Sequence, residues 1–163
     1  MIGDDTYAYR RRLPHLQKAG KHYFITFRAF FRFTLPPIAR TAALSCCLHD
    51  KGLTYWLHCV VIMPTHVHML ITPYEGVLLA KIMSRVKSVS ARLINDQLSR
   101  VGHVWQREYF DHIVRSEESL QQKAEYICQN PVRAGLVADA RHYEWTWNRY
   151  WNENAAEVGG ATP

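Results

Sequence analysis

The stretch Val60-Val61-Ile62-Met63-Pro64-Thr65-His66-Val67-His68-Met69-Leu70-Ile71 decides the fold of this chain. Branched apolar residues on both sides of a Pro-Thr pair read as strand, turn, strand. On the second strand alternate side chains share a face, so His66 and His68 project together, ~6–7 Å apart along the backbone. Val67, Met69 and Ile71 take the opposite face, where a core can form. Two imidazoles on one rigid strand suit a divalent metal that finds one or two further ligands elsewhere. The tripeptide alone fits equally well a pair of half-exposed strand histidines that bind nothing.

Outward from this hairpin the elements alternate. His22-Tyr23-Phe24-Ile25-Thr26-Phe27-Arg28 is aromatic and β-branched, hence a strand. Leu35-Pro36-Pro37 interrupts, and residues 38–49 are Ala-rich and free of Gly, a helix with Pro37 at its start. Residues 55–63 and 66–72 are the second and third strands. Residues 77–100 have a helical period, with Leu78, Ile82, Val86, Val89, Leu93 and the Leu98 region forming one stripe, until Val101-Gly102 stops it. Residues 104–114 alternate as a fourth strand, with Trp105, Arg107, Tyr109, Asp111 and Ile113 on one face. Ser116-Glu117-Glu118 starts a last helix that runs to residue 129, where Pro131 disfavours helical geometry at Asn130.

Strand, helix, strand, strand, helix, strand and an added C-terminal helix is an α+β order. It matches the ferredoxin-like β-α-β-β-α-β arrangement, an antiparallel sheet with two helices on one face. The third strand would be central, with the two histidines in the middle of a face open to a ligand. Residues 1–20, with Arg10, Arg11 and Arg12, read as a basic N-terminal arm, residues 21–137 as the working domain. Residues 138–163 read as an aromatic tail, carrying Tyr143, Trp145, Trp147, Tyr150 and Trp151 as a packed brace before a disordered end.

Composition narrows the class. At 163 residues with 48% hydrophobic and 21% charged content, the chain is long enough for one stable core without staples. Twenty Lys and Arg against 14 Asp and Glu give a net charge of +6, consistent with a polyanionic partner. Cys46, Cys47, Cys59 and Cys128 lack paired spacing and sit among apolar residues, so they read as buried free thiols of a reducing compartment. No signal-peptide pattern opens the chain and no apolar run reaches membrane-spanning length, which predicts a cytoplasmic protein without a membrane partner.

A second constellation lies in Ala124-Glu125-Tyr126-Ile127-Cys128-Gln129-Asn130-Pro131-Val132-Arg133-Ala134-Gly135-Leu136-Val137. Tyr126 and Asn130 stand four residues apart, a spacing that shares a helix face. A free tyrosine is a poor nucleophile because its pKa is ~10, and a nearby cation would help its oxyanion form. A packing tyrosine beside an Asn-Pro helix stop fits the same letters.

The histidine motif after Val61-Ile62-Met63-Pro64, then Val104-Trp105-Gln106, then Tyr126-Ile127 with the Asn130-to-Val137 segment, together resemble the single-tyrosine HUH transposases. Among these the chain is most similar to the REP-associated tyrosine transposases. Arg11-Arg12-Leu13-Pro14-His15 and Tyr23-Phe24-Ile25-Thr26-Phe27-Arg28 fit as well, so the resemblance covers residues 9–151. It implies a ferredoxin-like catalytic domain that cleaves and rejoins single-stranded DNA beside hairpins of short palindromic repeats, through a 5′-phosphotyrosine intermediate. It implies Tyr126 as nucleophile, His66, His68 and Asn130 as ligands of Mg²⁺ or Mn²⁺, and a monomer or homodimer. Cys128-Gln129 departs from the family pattern, which often has a His or another polar residue there.

Under this reading phosphate contacts are expected from Arg10, Arg11, Arg12, Lys81, Arg85, Lys87 and Arg92, and base stacking from Trp105 and Tyr109; the helix cations fit a solvated outer face, and the two aromatics a core, equally well. Tyr109 is the rival nucleophile, on the fourth strand. Two other readings use the same residues. A structural zinc or metal-hydrolase domain would join His66 and His68 to His58, Cys59 or His112, and a non-catalytic binding module would need no Tyr126.

Overall fold

Strand β1 is His22–Ala29, β2 Tyr55–Ile62, β3 His66–Pro73, β4 Trp105–Val114 and β5 Thr146–Asn148; helix α1 is Pro37–His49, α2 Leu79–Gln97, α3 Glu117–Cys128 and α4 Asn130–Arg133. These elements come from a computed structural model that describes residues 17–115 and 117–151, so Arg10, Arg11, Arg12 and Ser116 lie outside the described residues. The five strands form one sheet in the order β4-β1-β3-β2-β5, every pair antiparallel. The hairpin stretch becomes the β2–β3 pair, and β3 is the central strand as the ferredoxin-like order requires. Pro64-Thr65 makes the link: Met63 N–H donates to the His66 carbonyl at 2.8 Å, closing a tight turn.

Alternation on the strands builds two cores. Ile25, Phe27, Val60, Ile62, Val67 and Met69 face α1 and α2, which meet them through Ala39, Ala43, Ile82, Met83 and Val86. Small side chains on α1 let that helix lie close to the sheet. On the other face, Cys59, Val61, Met63 and Leu70 are covered by Leu120, Ala124, Ile127 and Cys128 of α3. Leu120, Ala124 and Ile127 recur at the helix period, which fixes the side of α3 that is buried. The second face is therefore open only in part: α3 covers β2 and reaches Phe24 of β1 and Val114 of β4. All four cysteines are free and buried, and no helix among the described residues is long and apolar enough to cross a membrane.

Three features differ from the sequence reading. The buried line of α2 is Leu79, Ile82, Met83, Val86, Ser90 and Ile94, whereas Leu78 is 56% and Leu93 41% exposed. The core position of Ser90 hides the true stripe, because a serine reads as polar. Its hydroxyl donates to the Val86 carbonyl at 2.6 Å and accepts the Trp105 indole N–H at 2.9 Å. Asn130 is helical, since Pro131 stands in the first turn of the new helix α4, where a missing N–H costs nothing. The aromatic tail also joins the sheet: Thr146, Trp147 and Asn148 pair with Val61, Val60 and Cys59.

Tyr143 fastens that last segment. It is 5% exposed, and its hydroxyl donates to the Ile62 carbonyl at 2.8 Å. Tyr143→Phe leaves that carbonyl without this donor and should cost about 1 kcal/mol of stability. Urea unfolding should show a lower midpoint with an unchanged slope.

Candidate functional site

The β1–β3 ladder sets Thr26 opposite His68 and Arg28 opposite His66. The two imidazoles meet edge to face, centroids 4.7 Å apart and planes at 76°. His68 Nδ1 lies 2.8 Å from the Thr26 hydroxyl, and His66 Nδ1 lies 3.1 Å from that of Thr65. In the tautomer with hydrogen on Nδ1, each ring donates to its threonine and presents the Nε2 lone pair. Burial, then His66, Arg28, Arg133 and Lys123, push the His68 pKa down to about 3. Burial and Arg28 lower that of His66. Both rings are thus neutral bases in a positively charged neighbourhood.

Tyr126 is 58% exposed near the end of α3. The Arg133 guanidinium lies 4.2 Å from its ring centroid and the Lys123 ammonium 5.3 Å. Arg133 also donates to the Tyr126 carbonyl at 2.8 Å, which ties α4 back onto α3. Lys123 stands 4.5 Å over the Phe24 ring, and Phe24 lies 5.5 Å from the His68 ring. Contacts therefore run continuously from His68 through Phe24 and Lys123 to Tyr126 and Arg133. Asn130 opens α4, and its amide N–H donates to the Ile127 carbonyl at 2.8 Å, leaving Oδ1 as an acceptor.

His66, His68 and Asn130 could supply two imidazole nitrogens and one amide oxygen to a divalent ion. Among the described residues no group of three or more His, Cys, Asp or Glu is placed so that it could hold a metal ion. Of the rival zinc ligands, His58 Nε2 lies 2.7 Å from the Thr72 hydroxyl and Cys59 is fully buried, while His112 stands on the histidine face with its ring edge on Phe24 at 4.9 Å. A donor set of two or three neutral groups fits an ion that completes its shell with water and phosphate oxygens.

Other expected residues fall elsewhere. Trp105 and Tyr109 point to the face covered by α1 and α2, where Trp105 is 5% exposed, so neither belongs to the histidine face. The alternation in β4 is real, but the apolar row is the core row. Lys81, Arg85, Lys87 and Arg92 lie on α2, across the sheet from the histidines. Arg85 pairs with Asp50 at 2.8 Å, and Lys87 donates to the carbonyls of Gln106 and Arg107 at 2.7 and 2.8 Å. The cations beside the site are instead Arg28, Lys123 and Arg133. Register across β1 and β3 was the signal for Arg28, and helical spacing from Tyr126 was the signal for Lys123.

The family model for IS200-like transposases matches residues 48–130 of the chain. A Haemophilus influenzae protein provisionally named a REP-associated tyrosine transposase is 26% identical over 109 residues, 61% of this chain and 61% of that protein. The chain thus spans about three fifths of the length of this curated relative. An uncharacterised protein of the same organism is 50% identical over 34 residues, 21% of this chain and 19% of its own. A solved structure of a REP-associated tyrosine transposase bound to a REP hairpin superimposes with a TM-score of 0.65 at 16% identity, covering 93% of this chain and 87% of that one. The fold is shared.

The neutral histidines have a consequence for stability. An unfolded histidine titrates near 6.5, whereas His68 in the fold titrates at about 3. Between those values the unfolded chain holds a proton that the folded site refuses, so stability is full above pH 6.5 and falls as the pH drops toward 3. His58, held down to about 4 by burial, His22 and Arg149, adds to the same slope. Urea midpoints measured across this range should decline with acid, and His68→Asn should flatten the decline without abolishing it.

Proposed function

The chain belongs to the IS200-like transposase family, and we propose that it cleaves and rejoins single-stranded DNA through a 5′-phosphotyrosine intermediate at Tyr126. The carrying observation is the joint placement of a neutral histidine pair and an exposed tyrosine within one set of cations. The solved relative with this fold is bound to a REP hairpin, which supports a hairpin of short palindromic repeats as the flanking recognition element. An exposed helix tyrosine beside a partly open sheet face suits a phosphate in an unpaired strand.

Arg28, Lys123 and Arg133 draw the backbone in and balance charge on the scissile phosphate. Arg10, Arg11 and Arg12 add backbone contacts from the arm. The Tyr126 oxygen attacks phosphorus, a Tyr–O–P bond forms, and the bond to the 3′ oxygen breaks. The phenol proton leaves and the departing 3′ oxygen gains one, so the products are a 5′-phosphotyrosine and a free 3′ hydroxyl. Attack by another 3′ hydroxyl on that ester rejoins the strand and regenerates Tyr126. Thr26 and Thr65 hold His66 and His68 in one orientation throughout. Mg²⁺ or Mn²⁺ held by His66, His68 and Asn130 would supply Lewis-acid stabilisation of the phosphate oxygens.

Incubating the protein with Mg²⁺ and a hairpin strand labelled at its 3′ end should give a denaturation-resistant conjugate carrying the label on Tyr126. Tyr126→Phe should lose conjugate and cleavage together, while Tyr109→Phe keeps both. Cleavage that persists with Tyr126→Phe overturns the mechanism.

His66→Ala and His68→Ala should each abolish cleavage while the urea midpoint at pH 7.5 shows a folded protein and strand binding survives. Undiminished cutting by the double variant in EDTA would remove the histidines and the metal from the reaction.

A further inference from the structure

Phe110 stands on β4 with 62% of its surface exposed. Strand register places it on the histidine face: Phe110 lies opposite Thr26, and Thr26 lies opposite His68. Adjacent strands are ~4.8 Å apart, so the Phe110 backbone is roughly 10 Å from that of His68 along one row across the sheet. The same side of β4 carries His112, whose ring edges onto Phe24 at 4.9 Å, and Phe24 sits under Lys123. Helix α3 packs on β2 and reaches Phe24 and Val114 at the far ends of β1 and β4, and the exposure of Phe110 leaves its end of the row open.

A lone exposed aromatic is ordinary on a protein surface. Phe110 differs in sharing a row with a phosphate-seeking site. Arg28, Lys123 and Arg133 select a polyanion, and an apolar ring one nucleotide's reach away offers a flat surface to whatever that polyanion carries. Cations that track a backbone, joined to an aromatic that receives a base, are the elements of single-strand binding grooves. Trp105 and Tyr109 are excluded from this role by their place in the other core.

We propose that Phe110 is the stacking platform for the nucleobase next to the scissile phosphate. The assignment rests on the transposase reading above and adds to it a positioning contact that is tolerant of base identity. A second copy of the chain, pairing along the outer edge of β4, is the competing occupant of this surface.

The test compares two probes of equal charge, an oligothymidylate of about a dozen units and its abasic deoxyribose-phosphate counterpart, by fluorescence anisotropy with the full chain. Phe110→Ala should weaken oligothymidylate binding about tenfold and leave the abasic probe unchanged, while Phe110→Trp keeps both affinities. Unchanged urea midpoints would show that both variants are folded. Equal loss on the two probes, or no loss on either, overturns the platform. So does sedimentation showing a wild-type dimer that Phe110→Ala dissolves. A Tyr126 conjugate that forms normally beside unchanged Phe110→Ala binding discards the platform alone; base-selective loss without any conjugate discards the transposase chemistry alone.

Discussion

The antiparallel register between β1 and β3 is the constraint on which the site depends. It fixes Thr26 against His68 and Arg28 against His66, and through β4 it fixes Phe110 against Thr26. A slip of one residue in either pair would turn every side chain to the opposite face, sending Ile25 and Phe27 into water and the polar row into the helix-covered core. The burial of Ile25, Phe27, Val67 and Met69 therefore holds the histidines in place. Core packing and site geometry are two faces of one ladder.

That same packing tunes the chemistry. Burial keeps His68 uncharged, and the neighbouring cations reinforce it. A protonated pair would repel both a metal and the arginines beside it. The site thus gathers positive charge from Arg28, Lys123 and Arg133 while its two central bases stay available as lone-pair donors. α3 completes the arrangement by opposing demands on one helix: Leu120, Ala124 and Ile127 go down into the sheet, and Tyr126 is left standing in solvent.

The element order, the central strand and the shared face of the histidines were legible because they rest on period-2 alternation and strong punctuation by Pro and Gly. The C-terminal strand was not, since three residues, Thr146, Trp147 and Asn148, are too few to show a period. The α2 stripe was misread because Ser90 takes a core position by pairing its hydroxyl internally. Assigning Trp105 and Tyr109 to a ligand face failed for a related reason: alternation tells which residues of a strand lie together, not which of two faces they take. Strand register and helical spacing point to Arg28 and Lys123, but the convergence of these two with Arg133 on His68 is a tertiary property.

The Tyr143–Ile62 hydrogen bond joins positions 81 residues apart, and β5 closes the outer edge of β2 with the same long reach. On a ribosome that adds about 5–20 residues per second, β2 waits on the order of ten seconds for its partner. During that interval Cys59, Val60, Val61 and Ile62 present open backbone donors and acceptors along an apolar strand. Such an edge invites pairing with any other extended chain. Pairing of Thr146, Trp147 and Asn148 with Val61, Val60 and Cys59 closes that edge.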